Sequence, residues 1–496
     1  MYATSRMQSV ITESRLATPA PLLTSLVAFV LCGVIPILLW SHGTRVISAT
    51  DVFLTITLVL AGARFAWIVG RPERHLHEMV LWLFVYVFLG AAPLVQLRIK
   101  FPGTTPNLSL SFSTEAALIV LAGCSALLIG SIVASATRNS KFHRPAAALN
   151  VERVNARNTY IWSAIALTLA VVYALQVGPE NLFGARSTLR ASQVDSLGAD
   201  PIATLISAGA RMGLVVSFVS LMHLRWQRHV SGGPKPVFLP LVVAIILFSV
   251  VNPISSARYT FGTALLAALG ALGAYATVWR FRILALSALV GVVLLFPVLD
   301  TFRRSLDATI RIEGPLDTMT TGDFDAFGQI INTAELVDAQ GLSWGYQLLG
   351  PFFFWIPRSI WPDKPPDTGV AIAEFKGYTF QNLSAPLWSE LFINFGWVGL
   401  VVGMLTVGFL LRRLDYHAEI ALQISPLPGV LACITPFYLL ILLRGSLLQA
   451  MVTLFVIVAV SWFVTRPERP QAPLPPTPTT RLSRSRVRSS RAWRIS

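Results

Sequence analysis

The chain has 496 residues, 54% of them hydrophobic and only 13% charged, where a soluble domain carries roughly 25% charged residues. That excludes an ordinary cytosolic enzyme. The net charge of +15 comes from 39 basic and 24 acidic residues; the placement of the basic residues says more than their total, and no nucleic-acid partner is expected. Cys32, Cys124 and Cys433 each lie in an apolar stretch without a second Cys or His at ligand spacing, so neither a disulfide framework nor a zinc site is supported.

Apolar runs separated by charged or Pro/Gly breaks predict twelve spans, at residues 21–40, 52–70, 79–97, 116–136, 159–178, 203–224, 237–252, 259–277, 282–299, 389–411, 427–443 and 446–464. Most approach the length of about 20 residues that crosses a hydrocarbon core. The expected fold is an all-α polytopic membrane protein: an N-terminal segment 1–20, a bundle of nine spans over 21–299, a large loop over 300–388, three spans over 389–464, and a tail over 465–496. The first span is longer than a signal-peptide core and reads as an uncleaved anchor. The tail is rich in Pro, then in Arg and Ser, a composition that cannot bury a core, and is expected to be disordered.

If the N-terminus is cytoplasmic, inner segments hold 24 Lys and Arg residues and outer segments 13, with Arg64 and Arg211 inside spans. The positive-inside rule chooses this orientation, with both termini cytoplasmic and the loop 300–388 extracytoplasmic.

That loop does not read as disordered. Phe327, Ile330, Ile331, Ala334 and Val337 form one helical stripe that Gly341 could terminate. Asp323 and Asp325 precede it, where carboxylates complement the helix dipole. Residues 346–356 are apolar but too short to span, and read as an interfacial or re-entrant segment with Trp355 at headgroup depth. Then come Pro357-Arg358-Ser359-Ile360-Trp361-Pro362-Asp363-Lys364-Pro365-Pro366. Four prolines stiffen the backbone and restrict Arg358 and Lys364, two cations that suit a diphosphate or salt-bridge neighbours such as Asp363 and Asp367.

Tyr346 and Gly350, then Pro357-Arg358, Trp361-Pro362 and Lys364-Pro365, then Ser389-Glu390, Asn394-Phe395-Gly396 and Gly399, together with the layout of the chain, resemble the bacterial O-antigen polymerase family, the Wzy-type oligosaccharide repeat unit polymerases. O-antigen ligases usually carry a histidine in the large outer loop, and residues 300–388 contain none. The resemblance implies a glycosyltransferase of the bacterial cytoplasmic membrane. It would polymerise undecaprenyl-diphosphate-linked oligosaccharides on the outer face, with membrane lipids as partners and a chain-length regulator and a flippase as further candidates. No nucleotide-binding fingerprint or metal motif is present, so no cofactor or metal is expected. Another lipid-carrier-dependent glycosyltransferase or an O-antigen ligase, and a polysaccharide or lipid transporter or flippase, stay open.

Displacing a lipid diphosphate without a metal falls to Arg and Lys. The candidates are Arg358, Lys364, Arg258, Arg444, Arg186, Arg190, Arg303, Arg304 and the intramembrane Arg211. Snorkelling equally explains Arg258, Arg444 and Arg64; Arg186 and Arg190 also fit a solvated loop face, and Arg211 a structural pair. The base that takes the acceptor proton is expected to be Glu390, with Asp323 and Asp325 behind it; helix-start pairing with the dipole also explains Glu390. Reporter fusions after Ser140, Gln227 and Ser485 are expected to read cytoplasmic and fusions within residues 322–377 extracytoplasmic; a cytoplasmic signal from the loop would overturn the orientation.

Overall fold

The structure, a computed structural model, describes residues 20–41, 47–99, 105–137, 153–197, 201–298, 314–381 and 383–466. The terminal segments, the start of the large loop with Arg303 and Arg304, and nearly all of the basic tail lie outside them.

Among the described residues the chain is helical, with no strand. In order come α1 (Pro21–Ser41), α2 (Ala49–Gly70), α3 (Leu76–Arg98), α4 (Ser113–Ala136), α5 (Ala156–Val177), α6 (Arg186–Leu197), α7 (Pro201–Val230), α8 (Phe238–Val250), α9 (Arg258–Ala271) and α10 (Val278–Val298). The large connection holds α11 (Ala326–Gln340), α12 (Tyr346–Phe352) and α13 (Thr368–Lys376); α14 (Leu387–Ile424), α15 (Val430–Arg444) and α16 (Leu447–Thr465) follow. Each of the twelve apolar segments falls on a helix, and among the described residues eight helices are long and apolar enough to cross a membrane. Helices α8 and α15 are apolar but shorter.

Burial differs across the bundle in the way a lipid solvent dictates. Helix α1 leaves Leu22, Phe29 and Ile37 exposed, whereas the apolar window of α3 is buried throughout. A helix apolar on all sides is a central one, and α3 organises the first core with α1, α2, α4 and α14. Phe84 stacks on Phe88 in α3, Trp388 of α14 stacks on Phe84, and Phe324 from the large connection stacks on Phe88. The second core joins α5, α7, α8, α9 and α16. Helix α15 is the seam between them, sending Phe437 and Leu443 to the first core and Cys433, Ile434 and Tyr438 to the second.

Apolar area alone does not bring helices together in lipid, so close packing must. Helices α4 and α14 touch backbone to backbone: a Cβ on Gly130 would lie 2.1 Å from the Leu405 carbonyl oxygen, and one on Gly408 2.1 Å from that of Leu127.

The structure corrects the tenth span. Rather than one continuous helix ending at 411, α14 breaks at Phe395 and Gly396 and then runs on to Ile424. Gly396 has φ +60° and ψ −145°, a region essentially open only to glycine. The break frees the Ile393 carbonyl, which accepts the Ser343 amide at 2.9 Å. The Asn394 side-chain oxygen accepts from Ser343 Oγ at 2.9 Å and the Leu348 amide at 3.3 Å. The irregular backbone is thereby satisfied within protein.

Helix α11 begins and ends where its pattern predicts, and Gly341 closes it at φ +81°. It is not, however, a helix with one open face. Gln329, Asn332 and Thr333, opposite the apolar stripe, are also buried. The stripe packs into the first core, and the connection's own layer, a small core of Leu336, Ile372, Ala373, Leu383 and Ile393, lies against the helix's other side. Gly396→Ala is expected to cost about 1–3 kcal/mol and Gly408→Leu to disrupt the α4–α14 contact; thermal unfolding of the detergent-purified protein would show both as lower midpoints.

Candidate functional site

The end of the bundle beneath residues 314–386 gathers most of the charged residues that the sequence singles out. Its pivot is the turn from Arg444 to Leu447 between α15 and α16. Arg444 reaches one side of this turn: its Nε donates to the Asp323 carbonyl at 3.0 Å, and its Nη2 to the Gly322 carbonyl at 3.2 Å and to Asp325 Oδ1 at 2.9 Å. The guanidinium also sits 5.2 Å from the centre of the Tyr259 ring. On the other side the Leu447 amide donates to Glu390 Oε1 at 2.9 Å, and Thr368 Oγ1 donates to Glu390 Oε2 at 2.8 Å.

Local chemistry explains each placement. Asn252 makes an Asx-type turn, its Oδ1 accepting the amides of Ile254 and Ser255 at 3.0 Å, while its Nδ2 holds the Leu182 carbonyl at 2.8 Å. That turn delivers Arg258 at the start of α9, where it pairs with Asp323. Asp367 follows Pro365-Pro366 and caps α13, its Oδ1 accepting the Gly369 amide at 2.9 Å. Its other oxygen, Oδ2, is buried. Burial raises the Asp367 carboxyl above the ordinary aspartate range; Ser446, the Gly369 amide and Gln449 oppose the rise. Asp367 is close enough to Glu390 for the two carboxylates to interact.

Several expectations change here. Arg258 and Arg444 do not snorkel; they are paired with Asp323 and Asp325 in a largely buried network. Asp325 occupies the N-cap position of α11 without making a side-chain cap bond; besides Arg444 it accepts from Ser384 Oγ at 2.9 Å. Glu390 is fully buried and receives the first amide of α16 rather than serving only the start of its own helix.

Arg358 and Lys364 make no salt bridge with Asp363 or Asp367. Arg358 donates to the Lys364 carbonyl at 2.7 Å and the Pro365 carbonyl at 3.2 Å, and Lys364 Nζ donates to the carbonyls of Phe354 and Ile356 at 2.9 and 3.0 Å. The two cations therefore staple the Pro-rich loop to itself. Burial, with Arg358 beside it, pushes the Lys364 amine below its usual range. The adjoining residues leave Trp344, Phe352, Trp355 and Ile360 exposed, the amphipathic surface a membrane-interface segment needs.

Arg186 and Arg190 share α6, which packs against α5. Arg211 turns back on its own helix to Ser207 and lies 5.9 Å from the centre of the Tyr173 ring. Sequence reasoning missed Asp367 as a partner of Glu390, and with it Thr368 and Ser446; it offered Asp367 only as a salt-bridge neighbour of Arg358 and Lys364.

It also missed a second ionic network, at the opposite end of the bundle. Arg64 does not snorkel but grips both oxygens of Glu78 at 3.0 and 2.9 Å. Arg74 pairs with Glu419 at 2.8 Å, His77 with Asp415 at 2.8 Å, and Arg412 meets His75. Donor atoms of His75, Glu78 and Asp415 lie within 4.8 Å of one another. Each is already engaged, Glu78 by Arg64, His75 by Arg412, and Asp415 by His77 and two backbone amides, so the set is an ion-pair network.

Removing one member of a buried pair costs about 3–5 kcal/mol, so Asp325→Asn and Arg444→Gln are each expected to lower the unfolding midpoint sharply. Combining them should cost clearly less than the sum of the two. Additive losses in that double-mutant cycle would mean that the two side chains do not depend on each other.

No family model, curated protein or solved structure matches this chain.

Proposed function

We propose that the chain is a membrane glycosyltransferase that polymerises undecaprenyl-diphosphate-linked oligosaccharide repeat units on the outer face of the bacterial cytoplasmic membrane. The observation that carries this reading is the convergence on one turn, Arg444 to Leu447, of an arginine and a buried carboxylate pair. The residues that carry the family resemblance lie around the same place. Asn394 Nδ2 donates to the Glu390 carbonyl at 2.7 Å, Tyr346 donates to the Asp363 carbonyl, and Gly350 packs beside Pro365 and Leu448 of α16.

In the proposed reaction a hydroxyl oxygen of the acceptor unit attacks the anomeric carbon of the donor chain. The bond to the lipid diphosphate breaks, and the diphosphate leaves with the electron pair. The hydroxyl proton passes to the Glu390–Asp367 pair, where two adjoining carboxylates hold one proton more readily than either would alone. Arg444 uses Nε and Nη2 on the protein; among the described residues its Nη1 makes no hydrogen bond, and that arm has two N–H donors for a phosphate oxygen.

The test uses purified protein, lipid-linked repeat units and a polymer ladder on a gel, with membrane abundance checked separately. Glu390→Gln keeps shape and loses basicity, and is expected to slow polymerisation by about 10²–10⁴-fold; wild-type chain length would remove Glu390 from the mechanism. Arg444→Lys should also be impaired, because an ammonium lacks the fork. For Arg358→Lys, an unchanged unfolding midpoint with lost activity would mark a diphosphate contact, whereas a lowered midpoint would mark the loop staple.

A second reading, a transporter of lipid-linked saccharide, is favoured by the opposite-end network, since charges set among apolar helices often mark a transport path. Polymer synthesis by the purified protein would decide for the enzyme; movement of labelled lipid-linked units across vesicles without polymer would decide for transport.

A further inference from the structure

At the opposite end of the bundle lies a cavity of about 400 Å³ that the proposed reaction does not use. It opens between the end of α7, the connection into α8, and the turn joining α9 to α10. Arg225, Trp226, His229, Lys235 and Arg280 line it, and no acidic residue among the described residues does. Arg225 Nη1 donates to the Pro236 carbonyl at 3.0 Å and Arg280 Nη1 to the Gly273 carbonyl at 3.2 Å. Each bond holds a guanidinium in place and leaves most of its five N–H donors for a ligand.

Basic residues near helix ends are expected on topological grounds alone, but topology requires only charge, not a concavity. Here cations from three chain segments converge on one hollow without a lining counter-charge, an arrangement that costs repulsion until an anion enters. The rim is apolar. Phe238, Leu241 and Ile245 are 79%, 57% and 60% exposed and recur at i, i+3 and i+7 along α8, which starts at the connection lining the cavity. Trp279 and Leu272 are exposed beside Arg280.

We propose that this cavity binds the phosphate-bearing headgroup of an anionic membrane lipid, with its acyl chains lying along the exposed face of α8. Basic pockets between membrane helices recognise such headgroups by charge and hydrogen bonding. A free phosphate would meet the same cations but would make no use of the apolar track.

The full chain, purified in detergent, would be titrated with dioctanoyl phosphatidylglycerol, dioctanoyl phosphatidylcholine and sn-glycerol 3-phosphate. The anionic lipid should bind at least about tenfold more tightly than either of the others. Removing two cations by Arg225→Gln with Arg280→Gln should weaken it roughly thirtyfold. Arg153→Gln with Arg157→Gln, which removes two exposed charges at the same end but outside the cavity, should leave affinity within about twofold. Equal losses in both double variants would reduce the site to a diffuse surface field and overturn the proposal. Glycerol phosphate binding as tightly as the lipid would make it a soluble-phosphate site, and no preference over phosphatidylcholine would also overturn it. If the double variant aggregates on gel filtration, Lys235→Gln, at an exposed loop position, decides: the lipid should bind roughly fivefold more weakly, and unchanged affinity sinks the proposal.

Discussion

A charge removed from water must find a partner, and at one end of this bundle two such partnerships decide where everything else sits. Arg258 with Asp323 and Arg444 with Asp325 join the starts and ends of apolar helices to the large connection. All four side chains are mostly buried, so losing a partner would strand a charge at a cost of several kcal/mol. The pairs act with apolar packing: Phe324, between the two aspartates, stacks on Phe88 of the central helix. Gln96, near the end of that helix, donates to the Phe324 carbonyl at 3.1 Å. Ionic, aromatic and amide contacts thus locate the same few residues.

Once those residues are held, the rest of the connection has little freedom. Helix α11 is enclosed between the bundle and the small core around Ile372, and the break at Gly396 gives residues 343–348 their backbone partners. The Pro-rich loop is stapled by its own cations. Asp367 and Glu390 are brought together beside the turn that begins with Arg444, and the proposed chemistry depends on this joining of distant chain segments. A general base set on short helix starts and braced by hydroxyl and amide donors is better positioned than one on a free loop.

The two ends of the bundle use charge differently. At the end beneath the connection, arginines face carboxylates within a packed junction. At the other end Arg64, Glu78, His77 and Asp415 pair among the helices, while Arg225, Lys235 and Arg280 ring a cavity that no acid among the described residues lines. Arg282 further closes that end, donating to the Val69 carbonyl at 2.9 Å where α2 terminates. Paired charges there lock helices together, whereas the cations around the cavity are available for the anion proposed above.

Apolar run length, with Pro and Gly breaks, determined that this chain is helical and where its apolar helices lie, because helix hydrogen bonds are local and hydropathy is counted along the chain. The stripe from Phe327 to Val337 and the stop at Gly341 were legible for the same reason. The partners of Arg64, Arg258 and Arg444 were not, since snorkelling and burial look identical in one dimension and the pairs join different chain segments, 14, 65 and 119 residues apart. Asp367 read as a salt-bridge neighbour of Arg358 and Lys364 but caps α13 instead, and its position beside Glu390 was invisible, because that depends on how α13, α14 and α16 pack together. Local geometry and hydropathy are written residue by residue, whereas the environment of a charge is a property of the volume around it, and only tertiary packing sets that volume.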